Sequence, residues 1–106
     1  MADPTQNLIS ELRRGTLVLT VLSQLGEEQY GYSLMQLLAE KGVEIDQSTL
    51  YPLLRRLEDQ GLLESEWSVE GSRPRRYYVL SETGKETLQQ LKQEWRALSD
   101  ALDHLL

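Results

Sequence analysis

The chain has 106 residues, 40% of them apolar, with 11 Lys and Arg against 17 Asp and Glu and a net charge of −6. That length describes one domain with a small core, and the absence of cysteine removes disulfides, thiolate metal sites and thiol nucleophiles together. No apolar run approaches a membrane span and the N-terminus lacks a basic-then-apolar signal pattern, so a soluble, cytoplasmic chain without membrane contact is expected.

Met1 to Thr5 is polar and reads as a loose end. From Gln6 to Leu25, Leu8, Ile9, Leu12, Leu19 and Leu22 recur mostly at intervals of three to four, and the spacing predicts one long helix, with Gly15 tolerated or marking a bend. The run LVLTVL within it would also suit a buried strand, but its helical flanks and lack of turn residues favour helix. Gly26 ends it. Gln29 to Tyr32 reads as a turn around Gly31, and Ser33 to Lys41 as a second helix stopped by Gly42.

Asp46 to Leu63 (DQSTLYPLLRRLEDQGLL) organises the chain. At about 100° per residue, Leu53, Leu54, Leu57 and Gly61 fall within about 60° of Leu50. Ser48, Pro52, Arg55 and Asp59 take the opposite face. Asp46 or Ser48 caps this third helix by accepting an orphan N–H of the first turn. Pro52 is tolerated because it lies within the first turn or so.

After Gly61 the period changes to two. Leu63, Ser65, Trp67 and Val69 alternate with Glu64 and Glu66, which predicts a half-buried strand with Trp67 packed on its inner face. Glu70-Gly71-Ser72 is turn chemistry, Pro74 bars a regular central strand, and Arg76 to Leu80 forms the second strand. One of Tyr77 and Tyr78 then faces inward and the other outward. The hairpin tip carries Arg73, Arg75 and Arg76. Ser81 caps a final helix in which Leu88, Leu91, Trp95, Leu98, Leu102 and Leu105 are spaced three, four, three, four, three. This is a heptad seam that asks for a second helix, most simply its copy in another subunit.

Three helices, a basic hairpin and a long last helix predict a mainly α fold with a small β-hairpin. Residues 1–80 form a winged helix-turn-helix and residues 81–106 a C-terminal dimerisation helix, in one structural unit. Such a fold presents the outer face of the third helix to DNA. The net acidity does not preclude this, because counterion release depends on local cations, and here they cluster. No nucleophile and base stand in a recognisable arrangement and no metal cluster exists, so no enzyme, cofactor or metal is expected.

The sequence resembles the PadR family of bacterial transcriptional regulators in its short form. The resemblance is carried by Tyr30-Gly31-Tyr32, by Thr49-Leu50-Tyr51-Pro52 with the following LLRRLEDQGLL, by the wing RPRRYYVLSETG and by the closing helix, from about Leu12 to Leu106. It implies a homodimer that binds a roughly palindromic operator in double-stranded DNA near its own or a neighbouring gene, usually as a repressor released by a small hydrophobic or aromatic effector. It places Gln47, Ser48, Thr49, Tyr51 and Arg55 in the major groove and Arg73, Arg75 and Arg76 on the backbone or minor groove. It makes Leu88, Leu91, Trp95, Leu98, Leu102 and Leu105 the dimer interface, and Trp95 a residue of an effector pocket. The rival reading is a winged-helix protein-interaction module that does not bind DNA, which the net acidity motivates.

Overall fold

The computed structural model describes residues 3–71 and 73–106, apart from the Glu70 side chain; Met1, Ala2 and Ser72 lie outside the described residues. The elements run α1 (Thr5–Arg14), α2 (Leu17–Ser23), β1 (Gln29–Tyr30), α3 (Gly31–Glu40), α4 (Gln47–Asp59), β2 (Leu63–Glu70), β3 (Arg73–Leu80) and α5 (Glu82–Leu105). The strands form one antiparallel sheet in the order β1-β3-β2. The fold is therefore mainly helical with a small sheet, and α2, α3, α4 and the β2–β3 hairpin compose a winged helix-turn-helix. Among the described residues no helix is long and apolar enough to cross a membrane.

Four leucines of α4 seat the whole arrangement. Leu50, Leu53, Leu54 and Leu57 are buried against Val21, Leu22 and Leu25 at the end of α2, Leu34 and Leu38 of α3, and Leu63, Tyr78 and Leu80 of the sheet. Asp46 is the cap, its carboxylate accepting the Thr49 N–H at 2.9 Å. Gly42 at φ +88° and Gly61 at φ +80° end α3 and α4, a conformation without steric cost only for glycine. Pro52 is the sixth helical residue rather than part of the first turn. It is exposed, so the carbonyl one turn back loses its intrahelical partner on the side open to water.

The expected first helix is two helices. It breaks at Gly15 and Thr16, where the Thr16 N–H and hydroxyl both donate to the Arg13 carbonyl, at 3.1 and 3.0 Å. The physical reason lies in burial: α2 sends Val21 and Leu22 into the core, whereas α1 buries no residue and leaves Leu8 and Leu12 in the open. The expected turn at Gln29 to Tyr32 is instead the strand β1 followed directly by α3. Gln29 and Tyr30 pair with Tyr78 and Tyr77 on the free side of β3, and the Tyr30 ring meets Tyr77 edge-on at 5.5 Å. Helix α3 starts two residues early because the Ser33 hydroxyl accepts the Tyr30 N–H at 3.1 Å.

Strand β3 begins at Arg73 and includes Pro74. Beyond Tyr77 it has a neighbour on one side only, so a missing N–H there costs little. Tyr78 is the inward member of the tyrosine pair, and its burial raises the hydroxyl pKa above the ordinary value, with the Arg76 cation opposing. Ser81 caps α5, accepting the Gly84 N–H at 3.0 Å. Gly84 is buried against the Leu62 carbonyl oxygen, which any Cβ there would overlap.

Candidate nucleic-acid interface

The Asp46 cap turns the first residues of α4 outward. Gln47, Ser48 and Thr49 are exposed, with the Ser48 hydroxyl donating to Asp46 at 2.8 Å. The Ser48 hydroxyl, followed by the Thr49 side chain and N–H, holds the Asp46 carboxyl below the usual carboxylate range. One turn on, the Tyr51 ring lies against Gly31, where a Cβ would collide with it. Arg55 follows on the same exposed side. The start of α4 is thus a polar, solvent-facing surface on a rigid apolar base.

The hairpin brings the other half. Between α4 and the sheet lies an open cleft of about 510 Å³, lined by Tyr51 and Arg55 of α4, Trp67 of β2, Arg75 and Arg76 of β3 and Tyr30 beside them. The structure therefore unites two groups of basic residues that are some twenty positions apart in the sequence. Arg75 lies with its guanidinium carbon 4.5 Å above the centre of the Tyr30 ring, a cation–π contact that orients the group without neutralising it. Arg73 is exposed near the hairpin turn.

Arg76 departs from the expected trio. Its Nη2 lies 2.7 Å from Glu58 Oε1, and its Nε–H donates to the Ser65 hydroxyl at 3.0 Å. The Ser65 hydroxyl in turn donates to the other Glu58 carboxylate oxygen. This charge is already paired within the chain, so Arg76 offers a phosphate less net attraction than an unpaired arginine does. Trp67 is the second correction. It is 66% exposed rather than packed inward, and Val69 is 72% exposed. Only Leu63 of that strand face reaches the core, since the hairpin projects beyond it. The tryptophan instead lies beside Arg76, its cross-strand partner on the sheet wall of the cleft, 5.8 Å from ring centre to guanidinium carbon.

Sequence reasoning passed over Glu58 and the lining role of Tyr30. Neither carries a local signal, because the partner of Glu58 is 18 residues away and that of Tyr30 lies on a strand 45 residues further on. Among the described residues no group of three or more His, Cys, Asp or Glu side chains is placed to hold a metal ion.

At the far end of the molecule the α5 seam divides. Leu88 is 8% exposed and belongs to the chain's own core, and Leu91 packs partly against that core while also lining the groove beyond it. Trp95, Leu98 and Leu105 are 44, 55 and 80% exposed. Together with Leu102, Trp95 and Leu98 face Leu8 and Leu12 of α1 across an open apolar groove of about 790 Å³.

The sequence model of the PadR-like transcriptional regulators matches residues 18–90, from α2 to the first half of α5. The chain belongs to the PadR family of transcriptional regulators. Like other PadR proteins it has close structural relatives: a PadR family regulator from Eggerthella lenta is 50% identical, with a TM-score of 0.91 over 95% of this chain and 90% of that one. A PadR family regulator from Clostridium difficile is 30% identical, with a TM-score of 0.78 over 85% and 97% of the two chains. A transcriptional regulator of Mycobacterium tuberculosis is 35% identical over 97 residues, covering 91% of this chain and 88% of its own length. This PadR protein is accordingly a transcriptional regulator.

Proposed function

We propose that this PadR protein is a homodimeric, sequence-specific DNA-binding regulator that represses its own or a neighbouring operon. The observation that carries the reading is the convergence of Tyr51 and Arg55 of α4 with Arg75 of the wing on one cleft, beside the exposed start of α4. In a winged helix the major-groove helix and the wing straddle one phosphate strand, and cations on both sides of that strand are what counterion release rewards. Gln47, Ser48, Thr49 and Tyr51 are the groove-facing residues, with Arg55, Arg73 and Arg75 as backbone contacts.

The exposed part of the α5 seam supports the dimer. Trp95, Leu98 and Leu105 repeat at coiled-coil spacing, and α1 adds Leu8 and Leu12 to the same apolar surface. A two-fold dimer sets two copies of α4 against half-sites about one helical turn apart, or a multiple of it, in a roughly palindromic operator. The groove beside Trp95 is the site for a small hydrophobic or aromatic effector that releases the operator.

The test is fluorescence anisotropy of labelled duplexes tiling the gene's own upstream region, at two salt concentrations. Saturable binding to one duplex, lost on scrambling and weakened by salt, is the expected result. Equal, weak binding to every duplex, or none, would instead favour a protein-interaction module, consistent with the net charge of −6.

A further inference from the structure

We infer that Glu58 is a positioning residue for the wing: through Arg76 it ties the hairpin to α4, and Arg76 is a tether rather than a phosphate contact. The inference rests on the DNA reading above and assigns a role within that interface.

Three elements close one ring of polar contacts. Glu58 comes from α4, Ser65 from β2 and Arg76 from β3, linked by the 2.7 Å ion pair, the 3.0 Å Nε–H bond and the Ser65–Glu58 hydrogen bond. The guanidinium also lies near two rings, 5.7 Å from Tyr78 and 5.8 Å from Trp67. The Glu58 and Arg76 side chains are 24 and 37% exposed, so the pair is partly shielded from solvent. The other ion pair among the described residues, Lys85–Glu82, is 56 and 89% exposed and lies within one helix, where it constrains little. Arg55 and Arg75 have no carboxylate partner among the described residues.

Geometry explains why a tether matters at this position. Strand β1 supports β3 only at Tyr77 and Tyr78, so from Arg76 outward the wing is a two-stranded ribbon. Such a ribbon has little stability of its own. At about 3.3 Å per residue its tip lies roughly 10 Å beyond Arg76. A pivot of about 15° at the base then moves Arg73 by nearly 3 Å, the length of a hydrogen bond. Holding the base to α4 holds the wing at one distance from the groove-reading helix.

Charge alone predicts the opposite sign. A carboxylate beside a polyanion opposes binding, so removing it should tighten the complex and free Arg76 for phosphate. The tether predicts weaker binding instead. The experiment compares the full-length parent with E58Q, R76Q and R75Q on the operator duplex, recording affinity across a salt series. E58Q and R76Q are expected to bind about 2- to 5-fold more weakly, the scale of a partly exposed ion pair. Their salt slopes should match the parent's. R75Q should lower the slope by about 1.8, two phosphate contacts per dimer at 0.9 each.

In the free protein, the Arg76 Nε–H should give a slowly exchanging nitrogen-15 NMR signal that E58Q abolishes. R76K keeps the charge without the fork and should weaken binding as R76Q does. Tighter or unchanged binding by E58Q would overturn the inference, as would an R76Q slope that falls like that of R75Q. A parent that binds no duplex would overturn the DNA reading itself; the two failures are told apart because the Arg76 signal reports the tether without DNA.

Discussion

Helices α4 and α5 carry the same kind of leucine stripe and meet opposite fates. In α4 the stripe is closed inside the domain, with Leu50, Leu54 and Leu57 at 0 to 1% exposure. In α5 the first turns lie over α2 and β3 and bury Leu88, while from Trp95 onward the helix outruns the core beneath it. A helix of 24 residues spans roughly 36 Å, and a three-helix unit of this size cannot cover that length. Apolar periodicity therefore states that a face needs a partner. Whether the partner lies in the same chain depends on how far the core extends.

Four measurements probe the difference between the two helices, in descending order of effect. Leu54→Ala, at a fully enclosed position, should destabilise the protein by about 2–5 kcal/mol in chemical denaturation, because its neighbours cannot close the cavity. Leu98→Glu on the exposed seam should leave the subunit folded by circular dichroism yet shift sedimentation from dimer to monomer at micromolar concentration. A dimer that survives this charge in its seam would refute the division drawn between the two helices.

The next effect concerns the open face of α4 rather than its buried one. Arg75→Gln should preserve the thermal unfolding midpoint, because the side chain is exposed and makes no ion pair among the described residues. Its cost should appear in DNA affinity, similarly for all sequences. A change in sequence preference would move Arg75 from backbone contact to base readout.

The smallest effect is at the cap. Asp46→Ala should lower the unfolding midpoint slightly at neutral pH. The folded-state pKa of Asp46 lies below its unfolded value, so its contribution is complete above the unfolded value and is lost as pH falls through the folded one. The gap between parent and Asp46→Ala should therefore narrow in acid. Asp46→Asn, which caps without titrating, should keep a constant difference from Asp46→Ala across the series.

Much of this molecule is legible in local pattern. The buried face of α4, its Asp46 cap, the glycine stops at Gly42 and Gly61, the switch to period two at Leu63 and the Ser81 cap all depend on residues within a few positions of one another. The errors share one physical origin. Gly15 and Thr16 break a continuous helical pattern because only the second half of that pattern points into the core. Gln29 and Tyr30 become a strand because β3, far along the chain, has an open edge. Trp67 is exposed because the hairpin runs past its support.

The family, the amphipathic helices, the basic wing and the α5 seam are all written in spacing and residue type along the chain. Which arginine stays available depends on how the folded elements pack. Arg73, Arg75 and Arg76 look alike in a row, but one is exposed near the turn, one lies over Tyr30 and one is ion-paired to Glu58. That difference arises from side chains 18 to 45 residues away, brought within 5 Å by the packing of β3 against α4 and β1. Strand alternation fixes which side each arginine faces; the side chain it meets there, Tyr30 of β1 for Arg75 and Glu58 of α4 for Arg76, fixes what its charge can do.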